Sequence, residues 1–149
     1  MLIPHKCQYA LRAIFELAKR KGQGLVKITE IAEAQVIPPR FLEVILSQLK
    51  QGGFVASQRG KQGGYQLVRS PEKLTVGEVI SFMEGPIGPV GCVAGDSAED
   101  CPLYRQCVFL PMWEKVRKAS SDVYDGTTFQ DLVDQERQRA EEYVPGYVI

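Results

Sequence analysis

The sequence predicts a mainly α-helical chain with a single small β-hairpin, and two observations carry that expectation. Apolar residues recur at the three- and four-residue spacing of a helix in several separate segments. Only residues 54–57 and 65–68 read as strands, and a glycine-rich turn joins them. Charge also divides between the two halves of the chain. Residues 1–69 hold 11 Lys or Arg against 4 Asp or Glu, whereas residues 70–149 hold 7 against 14. A net charge of zero therefore conceals a basic half suited to a polyanion and an acidic half that would be kept away from it.

With 149 residues, 44% of them hydrophobic, the chain can bury one core, or one compact domain with an appendage. No apolar run approaches the roughly 18 residues that cross a bilayer. The first six residues lack the apolar centre of a signal peptide, so a cytoplasmic protein with no membrane partner is expected. In that reducing compartment clustered cysteines serve metal binding or redox chemistry more often than disulfides.

The first helix is expected over 7–21, with Ala10, Ala13, Ile14, Leu17 and Ala18 inward and Gly22 and Gly24 ending it. Lys19, Arg20 and Lys21 suit the negative end of its dipole. A short extended piece, 25–27, leads to a second helix over about 28–34, with Ile28, Ile31 and Ala32 inward and Thr29 in its opening turn. Pro38 and Pro39 stop that helix and open a third, over about 39–51, because proline is tolerated where the missing N–H costs nothing. Phe41, Leu42, Ile45, Leu46 and Leu49 are expected inside it, with Arg40, Glu43, Ser47, Gln48 and Lys50 outside. A helix, a short turn and a second helix with polar residues on its N-terminal outer face form a helix-turn-helix, which lays the second helix in the major groove of DNA.

The hairpin follows directly, and in that position it is a wing. Its loop, Gln58-Arg59-Gly60-Lys61-Gln62-Gly63-Gly64, permits tight turns and close backbone approach. At its tip Arg59 and Lys61 are long cations suited to phosphates or to a minor groove. A P-loop is excluded, since no Lys-Ser or Lys-Thr pair follows and the loop precedes a strand.

In the acidic half a helix is expected over 75–84, capped by Thr75 with Glu78 as its returning partner. Residues 85–91 contain two prolines and three glycines and are not helical. Beyond them lie Cys92, Cys101 and Cys107, with eight and five residues between successive thiols, close enough to converge on one metal centre. A helix over 112–124 carries Met112, Trp113, Val116, Ala119, Val123 and Tyr124 on adjoining faces, more apolar surface than so small a chain can cover. Gly126 ends it and Thr127 or Thr128 starts another, before an apolar tail at 143–149.

Thiolates are soft ligands for zinc or for iron–sulfur clusters, the latter usually held by four. The Cys-x-x-Cys pairs of structural zinc are absent from this sequence. A metal-free thiol switch between Cys101 and Cys107 stands as the alternative. An enzyme is not expected: the only histidine is His5, so no Cys-His or Ser-His pair has a base in the core.

Several of these stretches resemble the Rrf-two (Rrf2) family of winged-helix transcription regulators. They are Tyr9-Ala10-Leu11-Arg12-Ala13, Ile31-Ala32, Phe41-Leu42-Glu43, Arg59-Gly60 with Gly63-Gly64-Tyr65-Gln66-Leu67, Val76-Gly77-Glu78-Val79-Ile80, Glu84-Gly85-Pro86 and Thr127-Thr128-Phe129-Gln130-Asp131-Leu132. The family includes the iron–sulfur cluster regulator, the nitric-oxide-sensing repressor and the cysteine metabolism repressor. The resemblance implies a winged helix-turn-helix domain over 1–85, a sensor loop over 86–111, and a dimerisation helix with a C-terminal helix and tail over 112–149. It implies a homodimer on double-stranded DNA with a partly palindromic operator, contacted through Tyr9, Thr29, Pro39, Arg40 and Glu43 and by the wing cations Arg59 and Lys61. Glu43 is suited to accept from a cytosine amino group. Met112, Trp113, Val116, Ala119 and Val123 would form the dimer interface. Cys92, Cys101 and Cys107 look like the three cysteines that hold an iron–sulfur cluster, of the 2Fe-2S or 4Fe-4S type. The first gap is three residues longer than in the iron–sulfur cluster regulator, and Leu110 stands where that regulator has a histidine ligand. For the fourth ligand Cys7 is a candidate, with His5, a carboxylate such as Asp100, or an exogenous group as the others.

Overall fold

The computed structural model describes residues 2–95 and 100–143. In chain order its elements are α1 (His5–Lys19), α2 (Ile28–Gln35), α3 (Pro39–Gln51), β1 (Val55–Gln58), β2 (Gly64–Leu67), α4 (Val76–Glu84), α5 (Gly91–Ala94), α6 (Leu110–Asp125) and α7 (Phe129–Glu142). Helix α1 is central: Ala10, Ala13, Ile14 and Leu17 lie along its fully buried stripe, and α2, α3, α4 and α7 all pack on it. None of the described helices is long and apolar enough to cross a membrane.

The helix-turn-helix forms as its prolines dictate. Val36 closes α2 in the left-handed conformation at φ 53, and the Ile37 N–H donates to the Ala32 carbonyl at 2.9 Å. Pro39 then opens α3 in its first turn. Leu42, Ile45, Leu46 and Leu49 of α3 are buried as expected, but Phe41 is 47% exposed. With about 100° between successive residues, Phe41 lies at the border of the buried stripe, and its ring turns to Tyr9 on α1, 6.5 Å between centroids.

Strands β1 and β2 pair antiparallel, Val55 opposite Leu67 and Ser57 opposite Tyr65. The expected extended piece before α2 joins them: Val26 and Tyr65 exchange two backbone hydrogen bonds of 2.8 Å. The wing is thereby tied to the connection between α1 and α2.

Thr75 caps α4 as expected: its Oγ1 accepts from the Glu78 N–H at 3.2 Å, and the Glu78 carboxylate accepts from the Thr75 N–H at 2.9 Å. Thr128 and Asp131 repeat the arrangement at the start of α7. The two helix starts lie side by side, with the Val76 N–H donating to Thr127 and the Phe129 N–H to Leu74 at 2.9 and 3.0 Å. Phe129 and Val133 thus enter the same core as α1. Residues 112–143 divide accordingly, α7 returning to the core and α6 resting on α4 and α5.

The cysteine segment, expected as a loop, contains the single turn of α5 and a 3-10 turn at Tyr104–Gln106. Residues 96–99 within it, and most of the apolar tail, 144–149, lie outside the described residues.

Candidate nucleic-acid interface and cysteine segment

Helix α3 stands out of the basic half as a ridge between two hollows. Arg40, Glu43, Val44 and Ser47 are all exposed on its outward face. On one side a cleft of about 520 Å³ lies between α3, the start of α2 and the wing, and includes Lys27, Thr29, Lys50, Arg59 and Lys61 in its lining. On the other, a hollow of similar volume is lined by His5, Lys6, Tyr9, Phe41, Val44 and Ile45. Of the residues expected at DNA, the first cleft gathers Thr29, Arg59 and Lys61, Tyr9 lies in the second hollow, and Pro39, Arg40 and Glu43 are exposed on α3 between them. Lys6, Lys27 and Val44 join them in the lining of these hollows. Helical periodicity places Val44 with Arg40 and Ser47, but an apolar residue there carries no charge signal.

The cations divide by role. Lys19, Arg20, Arg69 and Lys118 are engaged in ion pairs with carboxylates. Among the described residues no ion pair engages Lys6, Lys27, Arg40, Lys50, Arg59 or Lys61. Arg40 instead covers the Phe41 ring at 4.8 Å and Arg12 the Tyr9 ring at 5.5 Å, which fixes their planes without neutralising them.

The glycines shape the wing. Gly60 has φ 107 at the tip, and a Cβ on Gly63 would collide with the Gln58 carbonyl oxygen. The hairpin can therefore present Arg59 and Lys61 on a narrow loop.

Helix α6 carries two distinct faces. Met112, Val116, Ala119 and Val123 are exposed at alternating spacings of four, three and four, an apolar stripe of the kind that packs against another helix. Trp113 and Tyr124, expected on adjoining faces, are half-buried and off that stripe. At the end of α6, Asp125 packs so closely on Gly77 of α4 that a Cβ there would strike its carboxylate. At the other end of α4, the Phe82 ring occupies the space over Gly52 and lies 5.0 Å from Phe54, just beyond α3.

Cys92 lies on α5 and Cys107 three residues before α6, both half-buried, while Cys101 is exposed. Among the described residues no group of three or more His, Cys, Asp or Glu side chains is close enough to hold a metal ion. The donor types nevertheless suit an iron–sulfur cluster: three thiols on one segment, two of them on or beside elements that pack together. Cys7 is placed differently. It is fully buried on α1, and burial, followed by the nearby Glu84 charge, pushes its thiol up to about 11. His5 and Asp100 are exposed.

Residues 3–135 match the family model for Rrf2, described as an iron-dependent transcriptional regulator. The regulator CymR of Bacillus subtilis is 34% identical over 144 residues, 97% of this chain and 98% of that protein. IscR of Aliivibrio salmonicida is 32% identical over 140 residues, 93% of this chain and 82% of that protein. The solved structure of B. subtilis CymR, titled the global cysteine regulator, superposes with TM-score 0.75 at 34% identity, covering 91% of this chain and 98% of that one. T. potens IscR gives TM-score 0.73 at 32% identity, over 91% and 88% of the two chains. An oxidized form of Staphylococcus aureus CymR gives 0.68 at 32% identity, over 89% and 96%.

Proposed function

Because the chain belongs to the Rrf2 family of DNA-binding transcription regulators, we propose that it acts in the cytoplasm as a homodimer whose binding to a partly palindromic operator is set by an iron–sulfur cluster on Cys92, Cys101 and Cys107. It is a regulator and not an enzyme, as its relatives are. The observation that carries the cluster reading is the placement of Cys92 and Cys107, half-buried at the elements that abut α6. Three thiolates leave one coordination position, and Cys7, fully buried on α1, is not expected to fill it.

When bound, the cluster supplies a redox-responsive group that holds the three thiols together. The protein's own packing does the rest. Cys92 lies on α5, Cys107 leads into α6, α6 bears on α4 at Gly77, and α4 bears on the end of α3 through Phe82. These contiguous packed elements are the route by which a shift of α6 would reach the helix that faces DNA. The apolar stripe Met112, Val116, Ala119 and Val123 would meet its counterpart in the second subunit, which sets the spacing of two α3 helices for two half-sites.

Anaerobic purification with a visible spectrum and iron and sulfide analysis tests this reading. Wild type and Cys7→Ala are expected to be coloured with equal iron and sulfide, and Cys92→Ala, Cys101→Ala and Cys107→Ala to lose both. A colourless, iron-free protein that forms a Cys101–Cys107 disulfide on oxidation would instead establish the thiol-switch reading. The exposure of Cys101 and the existence of an oxidized form of S. aureus CymR favour that as the second possibility.

A further inference from the structure

Val44 is an apolar residue in the middle of a face otherwise equipped for a polyanion. It is 54% exposed, whereas Leu42, Ile45, Leu46 and Leu49 of the same helix are at most 1% exposed. The buried residues centre on Leu49. At about 100° per residue Val44 lies roughly 140° from that centre and about 40° from Arg40, with Ser47 and Gln51 close to the same line. It is thus not an edge residue of the core that happens to reach solvent. Phe41, 47% exposed, borders it across the hollow shared with Tyr9 and Ile45.

We propose that Val44 reads the 5-methyl group of a thymine in the major groove, with Phe41 forming the far wall of the methyl's contact. The proposal rests on the reading that α3 enters the major groove. Thymine is distinguished there by its methyl, which is met by apolar side chains, while the other base edges present only hydrogen-bonding groups. The charges around the hollow select DNA over an apolar protein partner. Lys6 lines it, Arg40 covers its Phe41 and Arg12 its Tyr9, so that an occupant must satisfy cations on its rim as well as methyl groups on its floor. A duplex does both, through its phosphates and its thymine methyls. Glu43, one residue before Val44 and about 100° around the helix from it, is also exposed and accepts from a base amino group, so the two residues would read chemically opposite features of different base pairs.

The test uses duplexes that the wild-type homodimer selects from a random-sequence library, with each thymine replaced in turn by deoxyuridine. That exchange removes the methyl and leaves base pairing intact. At one thymine per half-site the replacement is expected to weaken wild-type binding about fourfold, the equivalent of one buried methyl group. Val44→Ala, which removes the contact in both subunits, should weaken binding to the thymine duplex about sixteenfold and become indifferent to the replacement, while Val44→Ile keeps the discrimination. Because Val44 is exposed, thermal unfolding of both variants should match wild type. If no thymine is sensitive, or if Val44→Ala retains the full deoxyuridine penalty, Val44 is not the reader although α3 still reads bases. If the wild type selects no sequence at all, the premise that α3 reads bases fails instead, and the proposal with it.

Discussion

Gly64 lies against the backbone of Val26: a Cβ at Gly64 would come within 2.5 Å of the Val26 carbonyl oxygen. The adjoining bridge, in which Val26 and Tyr65 exchange 2.8 Å hydrogen bonds, holds the wing beside the helix-turn-helix. Gly64→Ala must separate these backbones or strain them, and overpacking of this kind costs about 1–3 kcal/mol. Urea unfolding should show the loss. DNA affinity should also fall, since Arg59 and Lys61 would be displaced with the hairpin. Unchanged stability would show that the wing tolerates a wider separation.

Glu16 is the buried charge of the core, 3% exposed. Burial pushes its carboxyl up, but hydrogen bonds from Gln35 at 2.7 Å and Arg20 at 2.8 Å, with the charges of Lys19 and Arg20, outweigh that and hold it below the ordinary range. A carboxyl lowered by folding contributes stability that is present above its unfolded pKa and is lost as pH falls through the folded one. The urea midpoint is therefore expected to drop on acidification below the ordinary carboxylate range. Glu16→Gln should flatten that drop and cost roughly 1.5–3 kcal/mol at neutral pH, where it removes charge-assisted hydrogen bonds to a buried carboxylate. A pH profile indistinguishable from wild type would mean that Glu16 does not contribute to the acid sensitivity.

Lys61 is exposed at the wing tip and lines the cleft that runs to α3. If it meets a phosphate, Lys61→Ala lowers the slope of log affinity against log salt by about 0.9 per subunit. Anisotropy titrations over a range of salt would give the slope. One that does not change places the tip away from DNA.

Val116 is in the middle of the exposed stripe of α6. Val116→Glu puts an unpaired charge into the proposed helix pairing, at a cost of roughly 3 kcal/mol or more. Sedimentation should then report monomers or aggregates. An intact dimer would mean that the subunits meet elsewhere.

Much of this was legible in the sequence, because helix caps and glycine turns are local signals. Pro39, Thr75 with Glu78, and Gly60 with Gly63 and Gly64 each act within a few residues, and the structure places α3, α4 and the wing where they indicate. What escaped depends on distant partners. Glu16 is buried through Gln35, brought to it by the packing of α1 on α2. The return of α7 rests on bonds between Leu74 and Phe129, far apart in the chain. Phe41 was placed inside by its apolarity, but Tyr9 offers its ring a better contact at the surface. The burial of Cys7 on α1 is likewise a property of the fold.

If the cysteine segment sets DNA affinity, operator binding by the anaerobic protein must change when a cluster thiol is removed. A duplex selected by the wild type would be titrated with coloured wild-type protein and with Cys92→Ala under the same anaerobic conditions, and Cys7→Ala would serve as the control. Cys92→Ala is expected to differ from wild type about tenfold or more, within the usual range for coupled sites, while Cys7→Ala does not. Equal affinity of the coloured wild type and the colourless Cys92→Ala protein would contradict it.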